Sequence, residues 1–290
     1  MNSFCNISGY RFIALDDLQV LRDDMHSALL SHGVLGTILL AEEGINVALV
    51  GSREAIEQSR TWFDSDSRFA AMDLKLSFSS FSPFSKLKVK VRPEIITFAQ
   101  PGLDPQKKPG KRLTVTELKQ WLDEGRDFCL LDSRNTYEIE SGTFEQAQSL
   151  QIENFRDLPA AVDKAVESGQ LDPDKPMVTF CTGGVRCEKT APWLETQGFS
   201  EVYQLDGGIL RYFEECEGAH WRGDCFVFDD RVEITPQLEE TGAVICRRCH
   251  KAVSQRHQHP PHYEENEYCP ACKDSNSSLR GTPTDQPGPV

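Results

Sequence analysis

The stretch "MVTFCTGGVRCEK", Met177 to Lys189, carries the strongest structural signal in the chain. A short apolar run ends on a cysteine, two glycines follow, and a helical pattern begins near Arg186 and runs to about Gln197. Apolar runs of this length, bounded by turn signals, are buried strands. The neighbouring segments repeat the alternation. "FCLLD" (128–132) and "EVYQL" (201–205) are strand-like, a helix is expected at about 156–167, and "DGG" (206–208) leads into "ILRYFEEC". Upstream, Thr114-Val115-Thr116-Glu117 forms a capping box opening the helix "TELKQWLDEG". Strands separated by crossover helices predict a parallel sheet in an α/β domain.

The chemistry of this stretch follows from its placement. A cysteine between a strand and a helix start has its sulfur among backbone N–H groups, which stabilise an anion and lower the thiol pKa. Gly183 and Gly184 permit positive φ and close approach of the backbone to the sulfur. Arg186 adds a fixed positive charge. Protein tyrosine phosphatases use a Cys-x5-Arg loop that encloses a phosphate. Cys181 to Arg186 is one residue shorter and fits a single sulfur. The loop Cys181, Thr182, Gly183, Gly184, Val185, Arg186 suits a thiolate or a persulfide, while a buried cysteine before a tight turn is the bland alternative.

The first ninety residues carry a different pattern. "GYRFIAL" (9–15) is a strand candidate, and Leu18, Leu21, Met25, Ala28 and Leu29 make a helical stripe between Asp16 and Leu30. "TILLAEEGINVALVG" is a hairpin, and Ser52 caps the helix "SREAIEQSRTWF". "LKLSF" precedes "KLKVKVR" (86–92), where Lys86, Lys88, Lys90 and Arg92 alternate with apolar residues. That order predicts a βαββαβ, ferredoxin-like domain. The lysine face reads equally as an edge strand or as a nucleic-acid surface. The expected boundaries are 1–98 for this α+β domain, 99–112 for a Pro- and Gly-rich linker, 113–220 for the parallel-sheet domain, 221–272 for an extension and 273–290 for a disordered tail.

Composition excludes several classes. No apolar run of the 290 residues approaches the roughly 18–20 that a membrane span needs, and the N-terminus lacks the pattern of a signal peptide. A cytoplasmic protein is expected, so its ten cysteines are thiols or metal ligands rather than disulfides. The formal net charge of −14 does not advertise nucleic-acid binding. Local clusters oppose it: the 86–92 strand, and Lys107, Lys108, Lys111 and Arg112 in the linker. Cys246-x2-Cys249 and Cys269-x2-Cys272, 19 residues apart, have the spacing of a tetrahedral zinc site, so a structural zinc is expected in a small ribbon-like segment. No haem or flavin is expected.

The segment "LLDSRNTYEIESGTFEQA" resembles the rhodanese signature through Asp132, Arg134, Glu138, Gly142 and Ala147. In that setting Asp132, Arg134 and Glu138 are read as an ion-paired scaffold beside the cysteine loop. "LAEEGINVAL", "LKVKVRPEII", "FCTGGVRCEK", "QLDGGI" and "CFVFDDR" extend the likeness, and the chain resembles the rhodanese-containing tRNA wobble-uridine hydroxylases over roughly residues 10–272. The resemblance implies oxygen-dependent 5-hydroxylation of the wobble uridine, molecular oxygen as co-substrate, tRNA as partner and Cys181 as the essential residue. The basic clusters then become candidate RNA contacts. Two other readings stay open on the residues alone. One is a sulfurtransferase working through a Cys181 persulfide; the other is a rhodanese-like module that binds without catalysis.

Overall fold

The computed structural model describes residues 4–70 and 72–273. The first unit is a five-stranded sheet with two helices on one face. In chain order these are β1 (Phe4–Phe12), α1 (Leu18–His32), β2 (Leu35–Ala41), β3 (Gly44–Gly51), α2 (Arg53–Ser65), β4 (Lys75–Ser79) and β5 (Leu87–Val91). The sheet order is β4-β1-β3-β2-β5. Residues 4–79 thus form the expected βαββαβ unit, closed by "LKLSF" as β4. The lysine-rich segment is a fifth strand at the opposite edge, parallel to β2. β1 starts earlier than the sequence pattern shows because residues 5–8 pair with strands on both sides. It ends at Phe12, opposite Gly44, where β3 begins.

Burial explains these elements. Leu21, Met25 and Leu29 of α1 and Ile56 and Phe63 of α2 pack on Ile38, Leu40, Ile45, Val47 and Leu49, with Leu87 and Val89 at the margin of the same core. Ser52 caps α2 by accepting the Ala55 N–H at 3.1 Å. The other face of this sheet turns toward the rest of the chain.

The second unit contains β6 (Lys111–Leu113), α3 (Val115–Asp123), β7 (Cys129–Asp132), α4 (Thr136–Ile139), β8 (Gly142–Phe144), β9 (Ala147–Ser149), α5 (Leu158–Glu167), β10 (Met177–Phe180), α6 (Cys187–Thr196), β11 (Val202–Leu205) and α7 (Gly208–Cys216). Its main sheet, β6-β11-β10-β7-β9, is parallel throughout. One apolar core beneath it joins α3 and α7 to the sheet, and another joins α5 and α6. Strands covered on both faces are buried along their whole length, as in Met177–Phe180. The capping box at Thr114 and Glu117 is formed.

The extension folds back onto this unit. β12 (Trp221–Gly223) pairs with β8, β13 (Cys225–Phe226) with β14 (Glu233–Ile234), and β15 (Val244–Ile245) with β16 (Ala252–Val253). The tail expected at 273–290 lies, apart from Lys273, outside the described residues. Among the described residues no helix is long and apolar enough to cross a membrane.

Candidate active site

Cys181 directly follows β10, and the loop to Arg186 curls around its sulfur. The Gly184 N–H donates to Cys181 Sγ at 3.1 Å. The start of α7 holds the loop from behind: Ile209 N–H donates to the Cys181 carbonyl at 3.0 Å and Leu210 N–H to that of Thr182 at 3.1 Å. This approach requires Gly208, at φ +64°, where a Cβ would stand 2.5 Å from the Cys181 carbonyl oxygen. The "DGG" turn is therefore the back wall of the loop.

Charge settles the state of the sulfur. Burial alone would raise the Cys181 thiol. The Cys187 thiol donating to it, the Arg186 guanidinium and the backbone N–H groups of Arg186 and Cys187 overcome burial and bring it down to about 5. Cys187 moves the opposite way, because it is buried and donates to a thiolate. The two shifts run in opposite directions and favour a Cys181 thiolate beside a Cys187 thiol. Cys187 also lies 3.8 Å from Ser133 Oγ.

The three scaffold residues divide in two. Glu138 accepts both Arg186 nitrogens, Nη1 at 2.6 Å and Nη2 at 2.7 Å, so it fixes the loop's own cation. Asp132 and Arg134 lie one layer deeper. Arg134 Nε and Nη2 donate to Asp132 at 2.9 and 2.7 Å, and Nη2 also donates to the Gly142 carbonyl at 2.7 Å. Both side chains are fully buried.

Cys181 faces a cavity of about 700 Å³ between the first sheet and the loops at the strand ends of the second unit. Thr182, Gly183, Val185 and Arg186 line it from the loop, and Tyr137 and Phe228 supply aromatic surface. The first unit contributes two groups that the sequence did not announce. Tyr10 Oη donates to Glu188 at 2.9 Å and would stand 2.9 Å from a Cβ on Gly184, which is at φ +101°. Lys75 Nζ donates to the carbonyls of Gly183, at 3.4 Å, and Gly207. Burial, and then the nearby Arg211, lower the Lys75 ammonium pKa to about 8. Lys189, only 3% exposed, ties the units together through Glu43 at 2.8 Å and Glu94 at 2.6 Å.

The basic candidates scatter. Lys90, Arg92 and Arg112 line the cavity. Arg112 is already committed to Glu188 at 2.6 Å and Asp206 at 2.7 Å. Lys86 and Lys88 sit at the edge strand, outside the cavity lining. Lys107 pairs with Asp104, Lys108 pairs with Glu195, and Lys111 lies over the Tyr203 ring.

The four C-terminal cysteines meet. The sulfurs of Cys246, Cys249, Cys269 and Cys272 all lie within 4.8 Å of one another, with Cys246–Cys272 at 3.8 Å and Cys269–Cys272 at 3.7 Å. Tetrahedral zinc with Zn–S near 2.3 Å places its sulfurs roughly 3.8 Å apart, so the donor set and spacing fit a metal of that kind.

Comparison with known proteins agrees with this geometry. The UPF0176 acylphosphatase-like domain family matches residues 4–95 and the rhodanese-like domain family residues 114–215. A tRNA uridine(34) hydroxylase of Cupriavidus taiwanensis is 44% identical over 272 residues, covering 92% of this chain and 95% of its own. One from Bordetella petrii is 44% identical over 249 residues (84% and 98%), and one from Burkholderia mallei is 39% identical over 286 (95% and 94%). Among solved structures, a rhodanese-like domain protein from Staphylococcus aureus is 24% identical, covering 35% of this chain and 90% of its own at a TM-score of 0.30. With identity at this level along nearly the whole length, the chain belongs to the tRNA uridine(34) hydroxylase family.

Proposed function

We propose that this protein hydroxylates uridine 34 of tRNA at C5, with molecular oxygen as co-substrate, in the cavity that ends at Cys181. The observation that carries the reading is the Cys181 sulfur, held by the Gly184 N–H in a loop that favours its ionised form, at a cavity built by both units of a chain with this ancestry. A thiolate is the reactive form of cysteine, and a cavity of about 700 Å³ is in the range that encloses a small ligand. Chemistry on a base requires the base to leave its stack, and a pocket of this size accepts one extruded nucleotide. In this reading Cys181 is the catalytic residue. Residues 182–186 hold its charge, and Glu138 fixes Arg186. Asp132 and Arg134 brace the strand ends behind. The domain limits 1–98, 113–220 and 221–272, with Lys111 and Arg112 of the expected linker drawn into the second unit as part of β6, and a cytoplasmic setting, belong to the same proposal.

The test is nucleoside mass spectrometry of tRNA from cells lacking the protein, grown where no parallel pathway supplies the modification. The 5-hydroxyuridine-derived wobble nucleosides should vanish and return with the wild-type gene. Unchanged nucleosides, together with release of thiocyanate from thiosulfate and cyanide by the purified protein, would replace this reading with a sulfurtransferase.

Cys246, Cys249, Cys269 and Cys272 would hold one structural zinc. When bound, the metal would cross-link the β15–β16 hairpin to the Cys269–Cys272 turn. Purified protein is expected to carry about one zinc per chain, and Cys269→Ser about none. Protease cleavage after residue 240 should accelerate in that variant, while the Cys181 thiolate titration stays in place. Full metal content in Cys269→Ser would reject the assignment.

A further inference from the structure

Two arginines of the cavity form no ion pair among the described residues. Arg92 follows β5 in the first unit, and Arg156 lies in the 3-10 turn Phe155–Asp157 that leads into α5 of the second. Both line the cavity and both are exposed. Among the described residues neither guanidinium has a hydrogen-bond or ion-pair partner. Their neighbours differ. Arg186 is spent on Glu138, Arg112 on Glu188 and Asp206, and Arg231 on Asp229. The remaining acids of the lining are also occupied, Asp73 by Arg211 and Glu94 by Lys189. In a chain of net charge −14, two arginines without an ion pair are thus kept at a cavity whose own lining carboxylates are all engaged by other cations.

The inner end of the cavity sets the orientation of the ligand. At that end the Gly184 N–H is engaged by Cys181 Sγ, Arg186 by Glu138 and Lys75 by the Gly183 and Gly207 carbonyls, so these donors are already committed and a phosphate is better held at the mouth. Tyr137 and Phe228 offer aromatic surface, on which a base of any kind can stack. A ligand with a neutral, flat part and trailing negative charge meets all three features. Resting on the tRNA reading above, we propose that Arg92 and Arg156 form a phosphate clamp. They grip the backbone on either side of the extruded nucleotide, one from each unit of the chain, while the base goes in toward Cys181. Phosphate contacts fix register without reading sequence, so the clamp positions the nucleotide and leaves discrimination to the pocket.

The experiment is a fluorescence-anisotropy titration of the full chain with a labelled anticodon stem-loop RNA bearing U34, at several salt concentrations. Arg92→Gln and Arg156→Gln are compared with Lys164→Gln, which removes one exposed positive charge outside the cavity. Each arginine variant should bind several-fold more weakly. Each should also flatten the slope of log K against log salt by about 0.7, the loss of one single-strand phosphate contact. The double variant should lose about twice that. If the arginine variants match Lys164→Gln while wild type binds tightly, the clamp is wrong and the tRNA reading survives. If wild type itself fails to bind the stem-loop or whole tRNA, both fall together.

Discussion

Cys181→Ser is expected to leave a folded, RNA-binding protein whose hydroxylation is reduced by about 10³-fold or more, the scale on which an enzyme loses its nucleophile. The change of one sulfur to oxygen barely alters volume, and a serine hydroxyl can still accept the Gly184 N–H that now reaches Cys181 Sγ. What disappears is the negative charge. The whole loop is arranged around an anion, since the Cys187 thiol, the Arg186 guanidinium and two backbone N–H groups all favour the ionised form against the cost of burial. A hydroxyl stays neutral in the same place. The charge can be measured directly as the difference in thiolate absorbance near 240 nm between wild type and Cys181→Ser. Because the pKa is lowered, the thiolate persists as pH falls from 8 toward 6 and is lost only through about 5. Hydroxylation should follow the same limb wherever the fold holds. A midpoint near the ordinary thiol value of about 8.5 would mean the loop does not hold an anion. Wild-type activity in Cys181→Ser would remove the cysteine from the reaction.

The legible part of this site was its local part. Strand, thiol, two glycines and arginine fall within ten residues, and Asp132, Arg134 and Glu138 within seven, so each motif carries its own geometry. Tyr10 and Lys75 were invisible because they arrive from 178 and 108 residues away. Lys75 was further disguised by its strand. In β4 the polar residues Lys75, Ser77 and Ser79 turn toward the protein, while Leu76 and Phe78 are exposed, which inverts the usual reading of alternation. The inversion has a reason. The inward side of β4 meets a second unit through Lys75 on the cysteine loop and through Arg231, which donates to Ser77 Oγ at 3.1 Å. A solvent-like pattern on one domain was the pattern of an internal interface. The 86–92 strand was the converse case. Its alternation was plain, yet nothing in seven residues tells whether lysines meet water or RNA. Only the cavity separates Arg92 and Lys90 from Lys86 and Lys88.

Arg134→Met should be the most destabilising single substitution near the site, costing about 3–5 kcal/mol, because it strips a buried carboxylate of its partner. Arg134 has no exposure, and neither has Asp132. After the change Asp132 keeps only the Arg134 backbone N–H and the Thr143 hydroxyl, at 2.8 Å, and the Gly142 carbonyl loses its donor as well. The π faces of Trp221 and Phe180, 5.3 and 5.9 Å from the guanidinium carbon, lose the cation between them. Methionine fills much of the space, so the cost is electrostatic more than steric. That distinction makes the prediction testable. Adding Asp132→Asn to Arg134→Met removes the stranded charge and should recover a large part of the loss, although Asp132→Asn alone is destabilising. Urea unfolding followed by tryptophan fluorescence, to which Trp121, Trp193 and Trp221 of the second unit and Trp62 of the first all contribute, gives the midpoints of the three variants against wild type. If the double variant is as unstable as the sum of the singles, the pair is not coupled and the buried ion pair is not what holds β7 to β8. The folded fraction of either variant should still show the Cys181 titration near 5, because Asp132 and Arg134 touch neither the thiolate nor Arg186. That outcome would assign the deep pair to the stability of the fold and leave Glu138, which holds Arg186, as the carboxylate that acts on the cysteine loop.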